Sequence, residues 1–207
     1  RLAPGAMRAV RTSPRGLPRA RAGRSVGAML RTIALGLLAV LLVASALGFM
    51  MPGRWHVERS IVVHSSAPTV FRLVNDLQRW ADWSWWNESV DPSLRRSFER
   101  GAPTVGVGAA MAWTGDEIGE GRLTITESVP DRLLRYDLAL EHESFMTRGV
   151  IVLDPQPAGV KVVWTDDGEL GMNPLLRLMG PWVEHAVGED FERGLAGLKR
   201  VAEARHG

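Results

Sequence analysis

The chain has 207 residues, no Cys and a formal net charge of +2. The lack of Cys excludes a disulfide framework, a thiol nucleophile and thiolate metal sites, and an apolar share of 45% is enough for a sizeable core. The charge is uneven: the first 53 residues hold eight Arg and no acid, whereas residues 54–207 hold 17 basic and 23 acidic groups, a net −6. The high pI therefore describes no surface of the C-terminal part, and nucleic acid, which would need a basic face there, is set aside as a partner.

Residues 1–28 are rich in Arg, Ala, Gly and Pro without an apolar period, and residues 1–31 are expected to form a disordered N-terminus. Met7 and Met29 both offer translation starts. Residues 32–53 follow without a charge for 22 residues, a helix of about 33 Å at ~1.5 Å per residue, enough for a hydrocarbon core of ~30 Å. A cleaved signal peptide competes, because Ala44-Ser45-Ala46 has the small-x-small pattern of a cleavage site. The apolar run continues past that point through Phe49 and Met51, which favours a single-pass membrane anchor. Arg residues crowd the N-terminal side of the run, so the positive-inside rule puts the following domain outside the cytoplasm.

From Trp55 the period becomes two. Val57, Arg59, Ile61 and Val63 predict a first strand with one mostly apolar face. Ser65-Ser66-Ala67-Pro68 is a helix start, with Ser66 as N-cap and Pro68 in the first turn; Val70, Phe71, Val74 and Leu77 then recur at helical spacing. Trp80-Ala81-Asp82-Trp83-Ser84-Trp85-Trp86 reads as a short second helix or turn, with Trp80 and Trp83 plugging one end of a sheet and Trp85 or Trp86 left for the surface. Short strands are expected near 94–99, 109–114, 121–129, 133–141, 145–153 and 160–165, separated by Gly- and Pro-containing turns. No helix-length segment intervenes, which argues for an antiparallel meander rather than βαβ units. Leu175, Leu178, Met179, Trp182, Ala186, Val187, Phe191, Leu195, Leu198 and Val201 make one helical stripe broken at Gly180-Pro181, predicting a short helix and then a long one from Pro181 to about Arg205.

Several segments resemble a known family: Arg59-Ser60-Ile61, the run from Asn75 to Trp80, Trp83-Ser84-Trp85-Trp86, Gly119 to Ser128, Val162-Val163-Trp164-Thr165, and Gly188 to Lys199. Their order and spacing over about residues 55–203 are similar to the polyketide cyclase/dehydrase family of the START-like (SRPBCC, birch-pollen-allergen-like) superfamily. Trp85 departs from the pattern, since relatives often carry Pro between the Ser and the Trp. The resemblance implies an α+β helix-grip fold, with a curved antiparallel sheet of about seven strands wrapped on a long C-terminal helix in residues 54–207. It also implies an internal cavity for a hydrophobic small molecule or lipid. The family name alone does not make the chain an enzyme.

Few residues point to chemistry directly. The five His (56, 64, 142, 185 and 206) form no ligand pair at helical or strand spacing, and no metal or cofactor motif is present; Gly106-Val107-Gly108 lacks the third glycine of a dinucleotide loop. Strand phase turns Trp113, Ile125, Glu127, Tyr136, Leu138 and Trp164 toward one face, and the long helix adds Trp182, Val187, Phe191 and Gly194. These are the expected ligand-binding residues, with Glu127 and Tyr136 as polar handles in an apolar site. Glu127 is the one weak candidate for an acid or base if burial raises its pKa; the plainer reading makes it a strand-end carboxylate paired with Arg122 or Arg148. Gly194 and Gly197 each cost about 1 kcal/mol in a helix, so either a ligand or tight packing on the sheet must explain them. Three functions remain open: a membrane-tethered carrier or sensor, a cyclase/dehydratase-type enzyme, and a structural or partner-binding module with a closed cavity. Oligomeric state is not readable.

Overall fold

The computed structural model describes residues 22–140 and 145–204. Of the N-terminus expected to be disordered, residues 1–31, the first 21 lie outside them, as do the end of the strand predicted to reach 141 and the last residue of the long helix near 205.

The described residues open with a helix, α1 (Ala22–Met50), which takes in residues 22–31 that were expected to be disordered. It starts well before residue 32, because the Ala-, Val- and Met-containing turns ahead of Arg31 propagate the helix that the apolar run nucleates. Its stretch Val26–Met50 is long and apolar enough to cross a membrane. By contact density the chain divides into residues 1–43 and a compact body of residues 44–207.

Within that body the order is β1 (Arg54–Val63), α2 (Ala67–Val74), a 3-10 turn (Leu77–Arg79), α3 (Trp80–Trp83), β2 (Arg95–Ser97), β3 (Ala110–Gly115), β4 (Gly119–Val129), β5 (Leu133–Leu140), β6 (Phe145–Gln156), β7 (Gly159–Glu169), α4 (Pro174–Leu178) and α5 (Gly180–Glu203). The seven strands form one antiparallel sheet in the order β1-β7-β6-β5-β4-β3-β2. β2 to β7 follow one another as a meander, and the first strand closes the far edge against the last. Ser66 caps α2 as expected, its side chain accepting from the Thr69 amide at 3.3 Å, with Pro68 in the first turn. Asp76 caps the next turn in the same way through the Gln78 amide at 3.0 Å.

The helix α5 packs on β1 and α3. Besides Gly180 at its start, its buried positions, Gly188, Phe191, Gly194, Leu195, Leu198 and Ala202, keep the 3–4 spacing of one face. Arg59, on the inner face of β1, reaches the helix: its Nε donates to Glu192 Oε1 at 2.6 Å, and Gly188 leaves the space its guanidinium occupies.

Candidate functional site

Alternation along the strands points rows of side chains at the concave face, and the register sets who stands beside whom. One row across the sheet reads Trp55, Gly168, Thr147, Leu138, Leu123, Met111. The next reads Val57, Asp166, Gly149, Tyr136, Ile125, and a third Arg59, Trp164, Ile151, Leu134. Three strand glycines lie directly opposite large rings: Gly121 opposite Trp113, Gly149 opposite Tyr136, and Gly168 opposite Trp55. A Cβ at any of the three would run into that ring, so each glycine is the space in which an aromatic lies against the neighbouring strand.

The rings then fill the concavity. Trp164 stacks on Phe191 of the long helix at 4.0 Å and 13°, meets Trp83 at 5.5 Å, and donates through its indole N–H to the Tyr136 hydroxyl at 2.8 Å. Trp80 sits at the hub, 5.0 Å from Trp83, 5.7 Å from Trp86 and 5.6 Å edge-on from Tyr136. Trp86 carries the chain on to Trp113 at 5.5 Å. Such pairs each contribute about 0.5–1.5 kcal/mol beyond the area they bury. The indole N–H groups of Trp80 and Trp83 find the carbonyls of Val74 and Leu73, while that of Trp113 has no partner.

The residues expected to line the site therefore divide. Trp113, Ile125, Tyr136, Leu138, Trp164, Phe191 and Gly194 come together, all buried, with Val187 partly buried against them. Gly194 is tight against this packing: a Cβ there would stand 2.9 Å from a ring carbon of Trp164, and one at Gly197 would strike the backbone of Trp83. Trp182 does not join them. It is 65% exposed, because it stands nine residues, two and a half helical turns, before Phe191 and so on the opposite side of α5, while Val183 and Val187 pack against the core.

Glu127 is also turned away. A bulge between Ile125 and Glu127 shifts the register of β4 against β5, so Glu127 and the residue before it both face solvent. Its carboxylate pairs with Arg135 at 2.8 Å, with side chains about half exposed, rather than with Arg122 or Arg148. Of the tryptophans weighed for the surface, Trp86 is buried and Trp85 is partly buried against the core.

The polar group that sequence reasoning missed is Asp166. It is 2% exposed on the inner face of β7. Thr147 Oγ1 donates to its Oδ2 at 3.2 Å, and its Oδ1 has no partner. Burial pushes the carboxyl up to about 7, against the hydrogen bond from Thr147, which favours the anion. Tyr136 is raised well above its usual value, mainly by burial and further by the charge of Asp166. The signal was available: Asp166 continues the inward phase of Val162 and Trp164, but the strand was expected to stop at Thr165.

Thr147 also lines an open groove of about 940 Å³ at this end of the sheet. Trp55, Gly168, Leu170, Met172, Leu176, Phe145 and Met146 form its apolar walls, and Arg54, Arg135, Arg148, Asp137, Asp167 and Glu169 its charged margin. A second groove of about 500 Å³ runs between α3 and α5, lined by Trp83, Trp85, Arg96, Arg193, Gly197 and Arg200 among others.

A curved seven-stranded antiparallel sheet closed over a long C-terminal helix, with an apolar concave face, defines a helix-grip domain of the kind that binds hydrophobic ligands. The chain belongs to the family described as Polyketide cyclase / dehydrase and lipid transport, whose sequence profile matches residues 54–203. No curated protein matches the sequence. Among solved structures, the fold is similar to the di-domain ARO/CYC StfQ from the steffimycin biosynthetic pathway, with 14% identity, a TM-score of 0.57, and 74% of this chain and 52% of that one covered. It is likewise similar to a protein of unknown function from Staphylococcus aureus, with 10% identity, a TM-score of 0.57, and 74% and 96% covered. Ara h 8.0201 shares 14% identity at a TM-score of 0.54, with 73% and 99% covered. At these identities the likeness is one of fold.

Proposed function

We propose that this protein is a membrane-tethered binding domain that takes a hydrophobic small molecule or lipid, as a carrier or sensor. Its α1 would span the bilayer and its helix-grip domain would lie on the extracytoplasmic side. The observation that carries this reading is the groove of about 940 Å³ at the end of the concave face, of a size suited to one small ligand. It has an apolar wall, a charged margin and, on the concave face, Thr147 backed by the buried Asp166 carboxyl. The aromatic packing deeper in the sheet supports a ligand at this end rather than beneath α5. Native mass spectrometry of the full-length protein released from its host membrane tests it. A reproducible adduct that disappears in Thr147→Trp, which fills the groove, is the expected result; the absence of any adduct, with no uptake of a fluorescent fatty acid, leaves the structural or partner-binding module.

A second reading, a cyclase- or dehydratase-type enzyme, loses Glu127 to its outward ion pair and draws instead on Asp166, a buried carboxyl poised near neutrality behind Thr147 of the groove. Turnover abolished by Asp166→Asn with ligand uptake retained would favour this reading.

A further inference from the structure

Five large exposed apolar side chains of the domain cluster at one corner. Met172, Leu175, Leu178, Met179 and Trp182 are 77%, 45%, 37%, 47% and 65% exposed, and all come from α4, its approach and the first turn of α5. An indole held in water at the tip of such a patch is a poor choice for solubility and a good one for a lipid headgroup layer, where Trp is favoured. The same corner receives the chain from α1. The last turns of α1, Ala44–Met50, belong to the compact body of the domain. Gly48 lies so close to Pro174 of α4 that a Cβ would collide with it, the Leu170 amide donates to the Gly53 carbonyl at 2.9 Å, and the Arg177 guanidinium covers Gly53. No free linker separates the end of the apolar helix from α4. Phe49 and Met50 are themselves exposed beside this junction. Met172 and Leu176 also wall the groove, so the patch and the groove share an edge.

We propose that the α4–α5 corner is a bilayer-docking surface, with Leu175, Met179 and Trp182 seated among lipid headgroups and the groove mouth held at the membrane surface. Ligand then exchanges between groove and bilayer without crossing water. The inference rests on α1 spanning that bilayer, and the test separates the two.

The chain has no Cys, so single Cys residues can each carry an environment-sensitive NBD fluorophore on the full-length protein in phosphatidylcholine vesicles. The positions are Leu38 in α1, Leu175 and Trp182 at the corner, and Gln156 in the β6–β7 hairpin at the opposite end of the sheet. Emission is read with and without lipid carrying a nitroxide near the headgroup, and Leu38 is also read with an acyl-chain nitroxide. The expected result is blue-shifted emission at Leu175→Cys and Trp182→Cys that is quenched by headgroup nitroxide. Leu38→Cys is quenched by acyl-chain nitroxide, and Gln156→Cys responds to neither. If Leu38→Cys is quenched but the two corner sites are not, docking is overturned while the tether stands. A blue shift at the corner without lipid quenching means that a second copy covers the patch, which also overturns it. If Leu38→Cys stays unquenched, the tether and the docking fall together.

Discussion

Replacing Asp166 by Asn tests the buried carboxyl. In the folded protein, burial moves its ionisation from the ordinary 3.8 to about 7. Below pH ~4 the group is protonated both folded and unfolded and contributes no pH dependence. Between about 4 and 7 the unfolded chain has released its proton while the folded one holds it. The native state then binds more protons, so stability falls as pH rises. Above about 7 both states are ionised and the full penalty is present. At about 1.4 kcal/mol per pH unit, the span amounts to about 4 kcal/mol. Asn keeps the shape and cannot ionise, so Asp166→Asn removes this slope. The assay is urea unfolding of the wild type and the variant at half-unit steps from pH 4 to pH 8. The readout is how the difference in unfolding free energy changes with pH; other titrating groups cancel in it, and an offset at low pH from the new amide protons does not matter. The variant should gain on the wild type steadily through this window and stop gaining above it. Parallel curves would refute the reasoning and mean that water or a rearranged Thr147 solvates the carboxylate.

Other substitutions check other parts of the structure. Gly197→Ala should lower the melting temperature more than Gly194→Ala, because its methyl meets the fixed backbone of Trp83 while that of Gly194 meets a ring. Overpacking of this kind costs about 1–3 kcal/mol and outweighs the ~1 kcal/mol of helix propensity that Ala returns; thermal unfolding by circular dichroism reads both. Tyr136→Phe strands the indole N–H of Trp164 in the core and should cost about 1–3 kcal/mol in urea unfolding, with a change in near-ultraviolet dichroism. Asp91 is held at about 2, chiefly by the Ser93 hydroxyl and then by the amides of Ile118 and Glu117. Its contribution is therefore complete above pH ~4 and is lost as pH falls toward 2, and Asp91→Asn should flatten that part of an acid-unfolding curve. Glu127→Gln should change stability by less than about 1 kcal/mol, since it breaks only a half-exposed ion pair.

The alternation in β3, β5 and β7 was enough to turn Trp113, Tyr136, Leu138 and Trp164 inward, and the Ser66–Pro68 signal located α2. The failures have separate physical causes. Glu127 was assigned by counting in twos from Leu123 and Ile125, and a bulge adds a residue to the count without any sequence mark as plain as a Gly or Pro. Trp182 was counted into the stripe of Phe191 and Leu195, but at nine residues, two and a half turns, from Phe191 it stands on the opposite side of the helix. Asp166 was passed over because the strand was expected to end at Thr165, although it stands in phase with Trp164. The glycines at 121, 149 and 168 drew no reading from the sequence, because their role depends on which residue lies across the ladder, which local pattern does not encode.

Those three glycines bear on how the sheet assembles. A hairpin closing one residue out of step turns its apolar side chains to water and is penalised at once. A closure two residues out of step keeps the faces correct and is the more treacherous error. In the β5–β6 pair it would set Tyr136 against Thr147 or Ile151, and in the β1–β7 pair it would set Trp55 against Asp166. In each case a side chain occupies the place where the ring must lie. The glycine notches thus discriminate against the two-residue slip, proofreading strand pairing from the inside of the sheet while the outer face stays free to vary.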